Sequence, residues 1–215
     1  MRSVVLLSAG LDSTVNLVRA VKEHTVLLTL TFDYGQRAAT KEIENAKKIS
    51  DLYKIKNQVI DLPWLKAITK TSLVNREINI PVGDELKIDN KAASAESAKK
   101  VWVPNRNGVF LNIAASFAEA LDADVIIPCF NAEEAVTFAD NSPEFLQATD
   151  TALSFSTLKN VKTLCYTQNL NKTEIVKLGR ELEAPFDLMW PCYFSGETIC
   201  GECESCLRFN RANAQ

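Results

Sequence analysis

Short polar side chains cluster between two apolar segments near the start of the chain. Residues 4–7 are apolar and predict a buried strand, while valines and leucines recur at helical spacing afterwards. A turn from a strand into a helix directs free N–H groups and the positive helix end at one point, where hydroxyls add donors. The pattern therefore predicts a phosphate site at Ser8, Gly10, Asp12, Ser13 and Thr14. The alternative is an ordinary capped helix, because Ser, Asp and Thr are common N-cap residues.

Four cysteines near the end of the sequence form a second candidate site, with the spacing C-x7-C-x2-C-x2-C. Zinc accepts four thiolates in a closed tetrahedral site, and the tail around these cysteines has few apolar residues with which to fold unaided. The spacing therefore predicts structural zinc at Cys192, Cys200, Cys203 and Cys206. A [4Fe–4S] cluster and a redox-active pair are the alternatives.

The elements that must position these residues alternate between strands and helices. Apolar segments predict strands at residues 4–7, 24–32, 58–62, 124–130 and 161–166. Helical spacing predicts helices at residues 38–53, 109–121, 144–158 and 171–182. This alternation predicts an α/β fold, an open doubly wound parallel sheet with helices on both faces and ligands beyond the carboxyl ends of the strands. Polar turns at residues 8–13, 34–37 and 131–140 fall at that edge.

Two segments depart from this alternation. Residues 73–100 are rich in Asn, Lys, Asp, Glu and Ser and show no sustained period. Such a long irregular segment predicts a mobile lid within a main domain of residues 1–188. Residues 189–215 carry the four cysteines, and we expect them to form a small zinc-binding appendage.

Composition limits the classes of protein to which the chain can belong. Its 215 residues are 47% hydrophobic, enough to bury a full core. Lys plus Arg number 24 and Asp plus Glu 27, and the net charge of −3 argues against a large nucleic-acid-binding surface. No secretory segment or membrane-spanning apolar run is evident, which predicts a cytoplasmic protein without a membrane partner. His24 is the single histidine, so a histidine base finds little support, and Cys129 and Cys165 are expected in the core.

The first motif resembles a known signature. The residues from Ser8 to Ser13, SAGLDS, resemble the SGGxDS loop of the PP-loop ATP pyrophosphatases, Rossmann-like proteins that cleave ATP between its α- and β-phosphates. Ala9 replaces the first glycine, and a methyl group is tolerable there only if the backbone φ stays negative. The resemblance implies that ATP contacts Leu7, Ser8, Ala9, Gly10, Leu11, Asp12, Ser13 and Thr14.

Further motifs resemble the 7-cyano-7-deazaguanine synthase (QueC) family of queuosine biosynthesis along nearly the whole chain. Residues 32–37 resemble the family's FDYGQRH, and Glu42 matches a glutamate that follows it. Three other segments match shorter motifs: 103–107 resemble VPGRN, 143–145 match PEF and 171–175 resemble NKAE. Residues 190–206 resemble WSCYxG…CGxCxxC, which includes the four cysteines.

The resemblance implies a carbon–nitrogen ligase. ATP activates the carboxylate of 7-carboxy-7-deazaguanine as an acyl-adenylate, and ammonia attacks it to form the amide. A second ATP activates the amide oxygen, whose loss leaves the nitrile. The family also implies Mg²⁺ with ATP, structural Zn²⁺, a homodimer, and small molecules rather than nucleic acid as partners.

The same resemblance carries over site residues one by one. Candidates for catalysis are Asp12, Ser13, Arg37, Arg106 and Lys172, whose cations would offset charge on phosphates or on the substrate carboxylate. The ATP site would also include Phe32, Tyr34 and Gln36. The substrate-binding candidates are Asn107, Asn131, Glu133, Glu134, Phe138 and Asp140.

Departures from the family pattern keep other functions open. Residues 131–145 lack the Tyr-Ser-Gly step, the proline, the cysteine and the arginine of the family's NAEDYSGYPDCRPEF, and Asn105 replaces the glycine of VPGRN. One alternative is a relative that transfers an adenylated deazapurine or other carboxylate to a different nucleophile, including one on a macromolecule. Another is a non-catalytic, zinc-stabilised nucleotide-binding module. A tRNA sulfur transferase is less favoured, because the chain is acidic and lacks an isolated electropositive cysteine.

Overall fold

A computed structural model describes residues 1–83 and 99–214 of the chain. Within these residues the sheet contains β1 (Arg2–Leu6), β2 (Thr25–Asp33), β3 (Asn57–Asp61), β4 (Val125–Ile127) and β5 (Lys162–Thr163). The strands lie in the order β3-β2-β1-β4-β5, and all neighbouring pairs are parallel. The predicted open parallel sheet is confirmed. Because the chain moves outward from β1 to β3 and then returns to β4, the strand order switches between β1 and β4, where such folds bind ligands.

Helices between the strands and after β5 cover both faces of the sheet. They are α1 (Leu11–Glu23), α2 (Ala39–Leu52), α3 (Pro63–Ile68), α4 (Arg106–Ala120), α5 (Ala132–Ala135), α6 (Pro143–Ser156), α7 (Lys172–Glu181) and α8 (Glu204–Asn213). The described residues include 3₁₀ turns at Ala139–Asn141 and Phe186–Leu188. None of the helices in the described part of the chain is long and apolar enough to cross a membrane.

Alternating side chains of the central strands build two cores. Val4 packs in a core that includes Leu111 of α4, whereas Val5 packs in another that includes Leu17 of α1 and Ile49 of α2. Successive residues of a strand point to opposite faces, so burial on both sides explains why these strands are continuous apolar runs. The double layer of helices holds the carboxyl edge of the sheet in place.

The strands nearest the site are shorter than their apolar patterns predict. The predicted strand at 124–130 ends at Ile127, because Pro128 has no N–H to continue the ladder. The predicted strand at 161–166 ends at Thr163, and the N–H of Tyr166 bonds to the side chain of Asn16 instead (2.9 Å). Residues 128–130 and 164–166 therefore continue beyond the ends of these two strands.

Helix α4 begins three residues earlier than the predicted start at residue 109. Asn105 has a left-handed backbone, with φ 49°, and the helix follows at Arg106. Arg106 and Asn107 therefore lie on the first turn of a helix, whereas the sequence pattern predicts them in the turn before it. A helix holds these side chains more firmly than a turn would.

The C-terminal residues pack against α7 and the loop after β1. Ala212 and Phe209 of α8 contact the core that includes Ile175 of α7, and the N–H of Trp190 bonds to the carbonyl of Ala9 (2.8 Å). The boundary at residue 188 stays a prediction. The predicted lid at 73–100 lies largely outside the described residues, which include only its two ends.

Candidate active site

A cavity of about 300 Å³ opens at the carboxyl edge of the sheet, beside the switch between β1 and β4. It brings together the three polar turns that the sequence predicts at one edge. The predicted site residues that line it are Leu7, Ser8, Gly10, Leu11, Asp12, Ser13, Phe32, Tyr34, Arg106, Asn107, Glu133, Glu134, Phe138, Asp140 and Lys172.

The loop between β1 and α1 is closed by its own hydroxyl groups. The Oγ atoms of Ser8 and Ser13 lie 3.2 Å apart, and Ser13 Oγ also accepts from the N–H of Ser8 (3.3 Å) and donates to the Gly10 carbonyl (3.1 Å). Helix α1 follows directly, and its first N–H groups have no partner within the helix. A short loop with hydroxyls beside a helix N-terminus favours an anionic ligand.

Ala9 corrects one expectation from the sequence. Its backbone φ is +60°, in the left-handed region that favours glycine, so the expected negative φ is wrong. The methyl group is fully buried and packs in the core with Leu17, and the carbonyl accepts the N–H of Trp190. These contacts offset the backbone strain and let the loop keep its shape without the glycine.

A lysine from α7 joins two carboxylates inside the cavity. Lys172 Nζ lies 2.5 Å from Asp12 Oδ2 and 3.0 Å from Glu134 Oε1, and Asn131 Nδ2 also donates to Asp12 Oδ2 (3.1 Å). Burial disfavours every charge here. It raises the pKa of Asp12 despite the ammonium, whereas Lys172 outweighs burial at Glu134 and lowers that pKa to about 2. The two carboxylates in turn raise the pKa of Lys172, which stays charged.

Arg106 supplies a second cation. Its guanidinium carbon lies 5.9 Å from the ring centroid of Tyr34, and Nη1 donates to the Tyr34 hydroxyl (3.3 Å). Burial acts against its charge, but Tyr34, Asp140 and Glu134 outweigh burial and raise the pKa of Arg106. A permanently charged fork at this position can pair with a planar carboxylate or a phosphate.

The four cysteines of the tail converge. Their Sγ atoms, from Cys192, Cys200, Cys203 and Cys206, all lie within 4.8 Å of one another, so the group could hold a metal ion. Backbone N–H groups point at the sulfurs: those of Phe194 and Cys200 lie 3.4 Å from Cys192 Sγ. Cys192 also lines the cavity, which places the cluster against the site.

Comparison with known proteins identifies the family. The model of the family "Queuosine biosynthesis protein QueC" matches residues 2–215. The chain belongs to this family. It is 56% identical to the 7-cyano-7-deazaguanine synthase of Bdellovibrio bacteriovorus, over 98% of this chain and 92% of that protein. The protein of the same name from Carboxydothermus hydrogenoformans is 57% identical over 98% and 97%.

Solved structures support the fold. A 4-thiouridine synthetase, in a complex with RNA and bound ATP, matches with a TM-score of 0.51 at 15% identity. The match covers 99% of this chain and 50% of that one. At this identity the likeness concerns the fold alone.

Five of the residues predicted for catalysis, ATP binding or substrate binding lie outside the cavity lining. Arg37 donates from Nε to the Ser72 carbonyl (2.9 Å) and from Nη2 to the carbonyls of Asn75 (3.0 Å) and Ile78 (2.5 Å). Its guanidinium therefore holds the segment after α3, and its catalytic role stays a prediction. The other four are Ala9, Thr14, Gln36 and Asn131. The side chain of Asn131 donates a hydrogen bond to Asp12.

The sequence motifs do not predict several residues of the cavity lining, above all Arg208. This side chain pairs with Glu133 (3.0 Å) and Glu204 (2.9 Å) and adds a third cation to the cavity wall. Its position four residues after Glu204 signals only a helical ion pair. Trp190 and Tyr193 also line the cavity, although their motif suggested only the neighbourhood of the cysteines.

Glu42 on the first turn of α2 also lines the cavity. Gln36 Nε2 donates to Glu42 Oε2 (2.8 Å) and to the Phe32 carbonyl (2.8 Å), while Gln36 Oε1 accepts from the N–H of Tyr34 (3.0 Å). Burial raises the pKa of Glu42 to about 7, against the hydrogen bond from Gln36 and the charge of Arg106. Between pH 4.5 and 7 the folded protein therefore holds a proton that the unfolded chain has lost.

This difference predicts a pH-dependent stability. The contribution of Glu42 to the free energy of unfolding should be lost as pH rises from about 4.5 through 7, because the folded state binds the extra proton. The shift from 4.5 to about 7 corresponds to roughly 3 kcal/mol. Urea unfolding of the ligand-free wild type and of Glu42→Gln at pH 4.5 and 8 should show the wild type losing that much relative to the variant. Parallel pH profiles would contradict the assignment.

Proposed function

We propose that the chain catalyses the ATP-dependent conversion of 7-carboxy-7-deazaguanine and ammonia into 7-cyano-7-deazaguanine. The observation that carries the proposal is the cavity at the switch point, where the phosphate-type loop after β1 faces the Lys172 ammonium and its carboxylates. The relatives of 56% and 57% identity bear the name of this activity. They favour the nitrile synthase over transfer to another nucleophile and over a non-catalytic module.

The reaction divides into two activations. A carboxylate oxygen of the substrate attacks the α-phosphorus of ATP and diphosphate leaves; ammonia then attacks the acyl carbon, loses a proton and displaces AMP, which leaves the amide. The amide oxygen attacks the α-phosphorus of a second ATP, again releasing diphosphate. Loss of AMP carries that oxygen away, and loss of the remaining N–H protons forms the nitrile.

The residues of the cavity suit these steps. The hydroxyls of Ser8 and Ser13, with the first N–H groups of α1, would hold the phosphates and the departing diphosphate. Lys172 would offset the charge that grows on the leaving diphosphate, and Arg106 would pair with the substrate carboxylate or the α-phosphate. Because both cations are held charged by neighbouring carboxylates, they require no proton transfer to act.

The donor set also suits Mg²⁺. Asp12 Oδ1 is buried and has no hydrogen-bond partner among the described residues, and a carboxylate oxygen is the ligand that Mg²⁺ prefers. The ion, when bound, would neutralise phosphate charge beside Lys172. Asp12 would hold it through the one oxygen that the lysine and Asn131 leave free.

We assign the four cysteines to structural Zn²⁺. Four thiolates at Zn–S distances of about 2.3 Å place their sulfurs about 3.8 Å apart, and the Sγ atoms of Cys200 and Cys206 lie 3.9 Å apart here. The cluster packs with Ala38 and Trp190, so the metal would brace residues that reach the cavity wall rather than take part in the reaction. A homodimer remains a prediction from the family resemblance, and a cytoplasmic location remains a prediction from the amino-acid sequence.

The proposed reaction is tested by mass spectrometry of the products formed from ATP, Mg²⁺, ammonium and 7-carboxy-7-deazaguanine. We expect the nitrile together with AMP. Asp12→Asn should lower AMP formation by about 100-fold or more, since it removes the charge that holds Lys172 and the metal. Asp51→Asn, on the exposed end of α2, is the matched control. AMP without nitrile would indicate another acceptor, and wild-type rates in Asp12→Asn would refute the phosphate site.

The metal assignment has its own test. Cys203→Ser should lower bound zinc and the melting temperature together, because the folding of the tail depends on the closed site. Elemental analysis and thermal unfolding measure both quantities, and Cys165→Ser, outside the cluster, should keep the metal. Unchanged zinc content in Cys203→Ser would refute the zinc assignment. Iron in the wild-type protein would instead assign the four cysteines to an iron–sulfur cluster.

A further inference from the structure

Two aromatic rings stand nearly parallel in the cavity wall. The ring centroids of Trp102 and Phe138 lie 6.1 Å apart with planes inclined by 12°, and both side chains line the cavity. Trp102 is 39% exposed, whereas Phe32, which stacks on Phe110 at 3.9 Å, is buried in the core. A large aromatic surface left open inside a binding cavity is a stacking site for a planar ligand.

Hydrogen bonds fix the two segments that carry these rings. Thr71 Oγ1 donates to the Trp102 carbonyl (2.9 Å), which ties the residues before α4 to the segment after α3. Asn107 Nδ2 donates to the Asp140 carbonyl (3.2 Å), which ties the start of α4 to the 3₁₀ turn after Phe138. Both backbone segments that carry the rings are therefore anchored to neighbouring elements.

Two groups of opposite charge, Arg106 and Asp140, are neighbours of these rings in the sequence and interact electrostatically with each other. Arg106 follows Trp102 by four residues, and Asp140 follows Phe138 by two; both line the cavity, and the electrostatic field of each acts on the other. A carboxylate accepts N–H donors, and a guanidinium pairs with an anion. The surroundings thus suit a flat ring that carries N–H donors and a carboxylate.

We propose that Trp102 and Phe138 form the surface on which the heterocycle of the deazapurine carboxylate stacks, rather than the adenine of ATP. The inference rests on the proposed function. The deazapurine has adjacent N–H donors for Asp140 and a carboxylate for Arg106. Adenine places an acceptor nitrogen beside its amino group and carries no anion on the ring, so it leaves both charged groups poorly matched.

Calorimetric titration of the zinc-loaded protein with 7-carboxy-7-deazaguanine and, separately, with ATP tests the assignment. Trp102→Leu and Phe138→Ala should each raise the dissociation constant of the deazapurine about 5- to 150-fold, the range for loss of one stacked base, and leave that of ATP unchanged. Trp102→Phe and Phe138→Tyr keep an aromatic face and should restore much of the affinity. Trp64→Leu, at an exposed tryptophan of α3 (49% exposed) outside the cavity lining, should change neither constant.

The outcomes separate the possible occupants. Weaker ATP binding with unchanged deazapurine binding would assign the surface to adenine and overturn the proposal, and unchanged binding of both would make the two rings wall packing only. A wild-type protein that binds ATP but no deazapurine carboxylate would refute the proposed function, and this inference with it. That result appears before any variant is made, so the two failures are distinguishable.

Discussion

A single buried ammonium holds the candidate site together. Lys172 from α7 meets Asp12 from α1 and Glu134 from α5, and the side chains of Lys172 and Asp12 are each only 13% exposed. Removal of one partner from such a group strands the other charges in a medium that solvates them poorly, which costs more than the intact pair contributes. The arrangement is therefore better understood as a means of fixing the first turns of three helices at one point than as a source of stability. It also keeps a positive charge where phosphate has to bind.

The cysteine cluster and the cavity wall are parts of one hydrogen-bonded frame. The N–H of Gly83 bonds to the Glu202 carbonyl (3.0 Å), and Ser195 Oγ donates to the Arg37 carbonyl (2.8 Å). Arg37 in turn holds the segment after α3, whose Ser72 N–H bonds to the Lys100 carbonyl (2.9 Å) just before the cavity-lining residues 101–103. A disturbance at the cysteines thus reaches the wall through the backbone, although no cysteine is assigned to the chemistry.

Local sequence patterns predict the sheet, the phosphate-type loop and the cysteine cluster. These features depend on apolar runs and short spacings, that is, on residues that are close to one another in the sequence. Arg208 could not be found in this way, since its place in the wall depends on how α8 packs over α7. The same limit applies to Ala9, whose left-handed backbone is held by tertiary contacts that override the local preference for glycine. For Arg37 the motif is recognisable and predicts a catalytic role. In the structure, however, its guanidinium donates to backbone carbonyls, which no sequence pattern could predict.

The wall of the cavity is assembled from both ends of the chain. The loop after β1 forms one side, and Trp190, Tyr193 and Arg208 close another. During synthesis the ribosome releases the phosphate-type loop long before it releases those three side chains, and domains fold as their residues emerge. A nascent or truncated chain therefore carries the loop without an enclosed pocket around it. The wall can therefore be completed only after Arg208 has left the ribosome.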